Sequence, residues 1–219
     1  MSTTPPKARV LIVEDHPIFR EGLVQLINRQ QDLLVCGECD DPKGIAAAIE
    51  KQQPDVLLLD LMLNGGGGID SIKQLHTLFP KVRILVLSMH DETVFAARAL
   101  RAGALGYVMK QEASRQVLAA LRSVLVGELH VSRKVGITLM QKAIRMPEPS
   151  AADGVAKLSD RELHVFELIG AGISTREIAT RLGISIKTVE THRENIKHKL
   201  ELESGAELVM RAKEWVGGA

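Results

Sequence analysis

The feature that most constrains this chain is a series of short apolar runs in its first half, each stopping abruptly at a charged or hydroxyl residue. The runs are Val10–Val13, Val56–Leu59, Ile84–Leu87 and Tyr107–Met109, with a weaker fifth at Leu33–Cys36. Each is short and rich in β-branched or aliphatic residues, as strands covered on both faces are. Helical patterns lie between them. Pro17–Ile27 carries Phe19, Leu23, Leu26 and Ile27 on one side, residues 91–101 carry Val94, Ala97 and Leu100 before Gly103, and Ser114–Val126 carries Val117, Leu118, Leu121 and Leu125. Five strands alternating with five helices predict an α/β doubly wound five-stranded parallel sheet.

The residues at the ends of these runs carry the chemistry. The first run ends in Glu14-Asp15, the third strand in Asp60, the fourth in Ser88 and the fifth in Lys110. In a parallel sheet these positions share one edge, where ligands bind at the reversal of strand order. Three clustered carboxylates repel one another and require a cation, and a hard ion such as Mg²⁺ suits oxygen ligands. A partly free carboxylate can attack phosphorus and form an aspartyl-phosphate. A metal and a lysine would neutralise the transferred phosphoryl oxygens while a hydroxyl donates to a third. Asp60, alone on a central strand, is the natural nucleophile. Taken singly, Asp or Ser after a strand is also an ordinary helix cap and the lysine a solvated charge; only the joint placement is informative.

The second half reads differently. Ser132 to Arg145 fits one connecting helix, residues 146–154 (MPEPSAADG) form a flexible linker pattern, and everything from Leu158 is helical. Ser159 with Glu162 and Ser174 with Glu177 form capping boxes. Ser185 opens a third helix and Ser204 with Glu207 a fourth, giving helices near 159–170, 174–182, 185–200 and 204–216. The two short helices around Gly183-Ile184 look like a helix-turn-helix. In the third, Val189, Ile196 and Leu200 make a core stripe with His192 alongside, and Lys187, Glu190, Thr191, Glu194 and Lys197 make an exposed face able to reach bases and phosphates. Charge does not decide the matter: residues 155–219 hold 10 Lys/Arg against 10 Asp/Glu, and the whole chain carries a net charge of +1. A solvated helix face is the competing reading.

Cys36 and Cys39 form a C-x-x-C on what reads as a strand, where positions i and i+3 point to opposite faces; small packing residues are favoured over a redox pair, and no second cysteine pair completes a zinc site. No apolar run reaches the ~20 residues of a membrane span and the start lacks a secretory h-region, so a cytoplasmic protein is expected.

Two stretches then resemble known families. VLIVEDHPIFREGL, LLLDLML, VLVLSMHDE and GALGYVMK resemble the receiver domain of two-component response regulators, over residues 7–128. The resemblance implies a flavodoxin-like fold, phosphorylation of Asp60 by a sensor histidine kinase or small phosphodonor, Mg²⁺ held by Glu14, Asp15, Asp60 and the carbonyl of Met62, and phosphate contacts from Ser88 and Lys110. Tyr107 matches the switch aromatic, whose ring turns inward as the hydroxyl moves toward phosphate; a partly buried strand tyrosine is the alternative. LSDRELHVFELIGAGISTREIATRLGISIKTVETHRENIKHKL resembles the LuxR-type helix-turn-helix of NarL/FixJ-type regulators, an all-α four-helix domain over 155–219, leaving a linker at 129–154. That implies double-stranded DNA as partner, bases facing Glu190, Thr191 and Glu194, and phosphates facing Lys187, Arg193, Lys197 and Lys199. The last helix (Leu208, Val209, Ala212, Val216) resembles a dimer helix, so a homodimer after phosphorylation is expected; closure of the small core is the other reading. One departure stands out. Asn64 replaces the usual proline four residues after the aspartate and is followed by Gly65, Gly66, Gly67 and Gly68, read as a mobile loop rather than a phosphate cradle, since no Lys-Ser/Thr pair comes after it. The rival functions are a Mg²⁺-dependent phosphotransferase or phosphatase acting on a soluble substrate and a small-molecule-sensing LuxR protein.

Overall fold

The computed structural model describes residues 6–63, 68–90, 92–144 and 154–217. Most of the Asn64–Gly68 loop, the linker sequence 146–153 and Asp91 lie outside the described residues. The chain divides into two compact units, Met1–Gln141 and Lys142–Ala219.

In the first unit β1 (Ala8–Val13), β2 (Leu33–Cys39), β3 (Val56–Asp60), β4 (Arg83–Ser88) and β5 (Gly106–Met109) form one sheet in the order β2-β1-β3-β4-β5, every pair parallel. The helices are α1 (Pro17–Asn28), α2 (Ile45–Gln52), α3 (Ile69–Leu78), α4 (Glu92–Ala102) and α5 (Ala113–Leu125). Side chains alternate across each strand. Val10, Ile12, Val56, Leu58, Leu85, Leu87 and Val108 therefore meet Leu23 and Ile27 of α1 and Val117, Leu121 and Val124 of α5 in one core. The opposite face is covered by α2, α3 and α4, which bury Ile45, Ile49, Ile72, Phe95, Ala96 and Ala99. All of β3 is buried, which explains its unbroken VLLLD.

The weak fifth strand, expected to end at Cys36, continues to Cys39 because the register slips between Val10 and Leu11 and passes over Cys36. Both cysteines are free. The Cys36 Sγ donates to the Val10 carbonyl at 3.4 Å and the Cys39 Sγ to the Asp41 carbonyl at 3.1 Å. Burial pushes both thiol pKa values up, the reverse of a reactive pair.

After α5 the chain returns along the outer edge of β5. His130 bridges Gly106, accepts from the Tyr107 N–H at 2.9 Å and donates to the Leu105 carbonyl. Ser132 opens α6 (Arg133–Ile144), accepting from the Val135 N–H while donating to Glu92 Oε1 at 2.6 Å.

The second unit contains α7 (Asp160–Gly170), α8 (Thr175–Leu182), α9 (Ile186–Leu200) and α10 (Gly205–Gly217). Ser159, Ser174 and Ser185 each cap a helix through the side chain. Gly183 takes φ +64°, a left-handed turn that glycine enters without strain, and separates α8 from α9. Among the described residues no helix is long and apolar enough to cross a membrane.

Candidate functional site

The strand order reverses beside β1 and β3, so the crevice at their carboxyl ends is where Glu14, Asp15 and Asp60 arrive. Ser88 closes β4 and Lys110 follows β5 on the same edge. Ligand atoms of Glu14, Asp15, His16 and Asp60 all fall within 4.8 Å of one another. The Lys110 ammonium spans the gap, 2.8 Å from Asp60 Oδ2 and 2.7 Å from Glu14 Oε2. Residues 96 and 50 positions apart in sequence with respect to Lys110 thus share one cation.

Burial sets the electrostatics. Desolvation, opposed by Lys110 and the Met62 N–H and helped by Glu14, pushes the Asp60 pKa up to about 6. Burial alone would lower the Lys110 pKa, but Asp60 and Glu14 outweigh it and hold the ammonium above its ordinary value. Asp60 Oδ1 accepts from the Met62 N–H at 3.0 Å, so each carboxylate oxygen is held by a different donor. With all three carboxylates ionised and one ammonium present, the pocket keeps a residual charge of two, the charge of one divalent ion.

Ser88 is fully buried, and its Oγ accepts from the His90 N–H at 3.0 Å. A hydroxyl accepts and donates independently, so this bond leaves its own proton for another acceptor. Tyr107 is turned inward: it is 2% exposed and its hydroxyl donates to the His90 carbonyl at 3.0 Å. His90 therefore joins the strand-end hydroxyl to the tyrosine. Burial, reinforced by Lys110, lowers its pKa to about 4 and keeps the ring neutral.

Four participants were not singled out by the sequence. His16 contacts both Glu14 and Asp15; Phe19 lies under Lys110, 5.0 Å from ring centre to ammonium; Arg20 donates to the Glu14 carbonyl at 2.6 Å; and His90 acts through its backbone. Adjacency to Glu14-Asp15 was the available signal for His16. The other three are placed by packing. Beside the pocket an open, mainly apolar groove of about 840 Å³ runs between α1 and the start of α5, with Ile18, Phe19, Leu26, Met89 and Ala113 among its walls. Ile18 is 88% exposed there. Gly68, the described end of the glycine loop, takes φ +79° and ψ −168°, a backbone region suited to glycine, and its N–H returns to the Leu61 carbonyl.

In α9, Val189 and Ile196 are buried while Lys187, Glu190, Thr191 and Glu194 are exposed. His192 is half-buried, its pKa lowered by burial and by Arg161. The basic residues divide. Lys197 pairs with Glu194 at 2.9 Å. Lys199, a phosphate-contact candidate in the sequence, instead reaches Glu162 at 2.6 Å, where it braces the capping box of α7. Burial would raise the Glu162 pKa, but Lys199 and the Ser159 contacts outweigh it and hold it below the ordinary value. Among the described residues no ion pair involves Lys187 or Arg193. In α10, Leu208 and Ala212 are buried, and a Cβ added to Gly170 of α7 would lie 2.4 Å from the Ala212 carbonyl oxygen. These two residues close the small core, and Met210 remains 57% exposed.

Comparison with known proteins agrees with this geometry. The response regulator receiver domain matches residues 10–122, and the luxR family of bacterial regulatory proteins matches residues 156–212. The oxygen regulatory protein NreC of Staphylococcus haemolyticus is 34% identical over 205 residues, 92% of this chain and 94% of that protein. NreC of Staphylococcus aureus strain JH9 is 35% identical, with the same coverage. A solved structure of the RcsB response regulator from Salmonella typhimurium superposes with a TM-score of 0.77 at 27% identity, over 95% of this chain and 98% of that one. The phosphatase and small-molecule-sensor alternatives have no support in these matches. The five-stranded α/β unit and the helical unit, each with its own family, make this chain a two-component response regulator of the NarL/FixJ type, a DNA-binding transcription regulator and not an enzyme.

Proposed function

We propose that Asp60 is the phosphoryl acceptor, that its phosphorylation by a sensor histidine kinase or a small phosphodonor controls DNA binding through α9, and that the protein does this in the cytoplasm. The observation that carries the proposal is the Lys110 ammonium lying 2.7–2.8 Å from both Glu14 and Asp60 in a buried pocket. A charged donor at that place has one evident use beyond pairing, neutralising oxygens of a group transferred to the carboxylate.

Glu14, Asp15, Asp60 and the Met62 carbonyl would hold Mg²⁺, and the donor set of clustered carboxylates fits a hard divalent ion. When bound, that ion would draw charge from the phosphoryl oxygens. The protein residues do the rest. An Asp60 oxygen attacks phosphorus, the bond from phosphorus to the donor's nitrogen or oxygen breaks, and the electron pair leaves with the donor. Lys110 shifts its hydrogen bond from Asp60 to a phosphoryl oxygen, and Ser88 donates to another. Movement of Ser88 pulls on the His90 N–H it accepts from, and so on the carbonyl that holds the Tyr107 hydroxyl. One local bond is thereby linked to the β5 edge, along which the chain runs toward α6.

For DNA, Glu190, Thr191 and Glu194 face bases, and Lys187, Arg193 and Lys197 face phosphates; the Thr191 hydroxyl is free to leave its present acceptor, the Lys187 carbonyl. Lys199, held by Glu162, contributes less. RcsB has been solved bound to promoter P1flhDC in the presence of the phosphomimetic BeF3-, and as two dimers on two parallel DNAs. Those structures support DNA binding by a homodimer here, with half-sites roughly one helical turn apart.

The test is to incubate Asp60→Asn and the unaltered protein with a radiolabelled phosphodonor in Mg²⁺, then measure DNA binding. The expected result is label and enhanced binding in the unaltered chain alone. Equal labelling of Asp60→Asn rejects the assignment.

A further inference from the structure

The pocket contains a group that phosphoryl acceptance does not require. His16 follows the acidic pair directly, and Pro17 follows His16. A residue before proline is pushed out of the helical region, and His16 duly sits at φ −85° and ψ 107°, the extended residue at which α1 begins. Its side chain makes no cap hydrogen bond to the helix. Its N–H donates to Glu14 Oε1 at 3.0 Å, which turns the residue back over the pocket. Nδ1 then lies 2.9 Å from Glu14 Oε1 and 2.9 Å from Asp15 Oδ1. Carboxylates only accept, so the ring carries a proton on Nδ1 in this arrangement.

The ring and the lysine both reach Glu14, the ring adding Asp15 and the lysine Asp60, and they differ in access. The Lys110 side chain is 7% exposed, whereas the His16 side chain is 69% exposed. Lys110 is walled in by the fold. His16 can move, and a ring nitrogen lies within 4.8 Å of carboxylate oxygens of Glu14, Asp15 and Asp60, close enough to join them around one cation. A pocket of oxygens alone prefers hard ions. Adding an imidazole nitrogen raises the preference for first-row transition ions over Mg²⁺.

We propose that His16 is a ligand of the divalent site through Nδ1, and that it makes the pocket favour manganese- or cobalt-type ions over Mg²⁺. The inference rests on the reading of this pocket as the cation site of a phosphoryl acceptor, and adds which ion this chain selects. Through this imidazole the protein discriminates between two cations that carry the same charge.

The experiment titrates the full-length protein and its His16→Ala and His16→Gln variants with Mn²⁺, and separately with Mg²⁺, by calorimetry. Pulsed electron paramagnetic resonance of bound Mn²⁺ then looks for coupling to a histidine nitrogen. His16 is largely exposed, so both variants should keep the circular dichroism of the parent. The expected result is a loss of ~10-fold or more in Mn²⁺ affinity for both variants, a change of less than about threefold for Mg²⁺, and a nitrogen coupling present in the parent alone. Equal losses for the two ions would mean that His16 merely positions Glu14 and Asp15, and would overturn the proposal, as would unchanged Mn²⁺ affinity or absent coupling. If those failures occur while Mg²⁺ binds and Asp60 is still labelled, the phosphoryl-acceptor reading survives. If neither ion binds and Asp60 is not labelled, both readings fall.

Discussion

Replacing Lys110 with methionine tests the electrostatic account of the pocket most directly. Methionine keeps much of the length and packing of lysine and deletes its charge. The ammonium lies 2.7 Å from Glu14 and 2.8 Å from Asp60, and the three side chains are 7%, 1% and 2% exposed. At that burial solvent screens little, and removing one partner strands the other charges. Breaking a buried ion pair in this way costs about 3–5 kcal/mol. For a unit the size of Met1–Gln141, each kcal/mol moves the melting midpoint by roughly 3 °C, so the first unit should melt about 10 °C lower in chelator. The same substitution removes the competitor for a divalent ion. Millimolar Mg²⁺ should therefore stabilise Lys110→Met more than the parent and close part of the gap. The assay is differential scanning calorimetry of the full chain, in chelator and in Mg²⁺. Repeating it in Glu14→Gln and in the double variant gives a coupling energy, expected at about 1–3 kcal/mol for groups in direct contact. A loss below about 1 kcal/mol in chelator, or an equal loss with and without Mg²⁺, would show that the ammonium does not hold the acids together.

Two further outcomes are expected. His90 is held neutral, its pKa lowered to about 4 by burial and Lys110; its contribution to stability is whole above the unfolded value of about 6.5 and is lost as pH falls toward 4, amounting to about 3 kcal/mol. Urea denaturation across that window should be flatter for His90→Gln, and parallel curves would reject the role. Gly170→Ala gains helix propensity of ~1 kcal/mol, yet its Cβ would lie 2.4 Å from the Ala212 carbonyl and 2.6 Å from Val216 Cγ2. A net destabilisation of about 1–3 kcal/mol in the second unit is expected, and a rise in its melting midpoint would contradict the close packing of α7 on α10.

How far the sequence could be read depended on whether position along the chain maps onto position in space. For a parallel sheet it does. A run covered on both faces is apolar throughout, and where it stops the chain has reached one shared edge, so Glu14, Asp60, Ser88 and Lys110 could be gathered from four distant segments by pattern alone. The two helices not located in advance, α2 and α3, bury Ile45 and Ile49, and Ile69, Ile72 and Leu75. The engagement of Lys199 was also hidden. Its partner Glu162 lies 37 residues away, brought near by the packing of α9 on α7, and no spacing rule encodes that crossing. His90 was invisible because its pocket role uses a backbone N–H and carbonyl, which every residue except proline possesses. The same distinction bears on the DNA face. The capping serines fix where α9 begins, and its buried stripe fixes which side points outward, but whether a cation on that side reaches a phosphate depends on what it already holds. Lys197 and Lys199 are engaged with glutamates, whereas Lys187 and Arg193 have no ion-pair partner among the described residues. The salt dependence of DNA binding should accordingly fall by about one unit of slope for Lys187→Ala and for Arg193→Ala, and by less for Lys199→Ala, whose main effect would be to unbrace the Glu162 cap. A Lys199→Ala slope change as large as the other two would mean that the Glu162 pair opens readily on DNA.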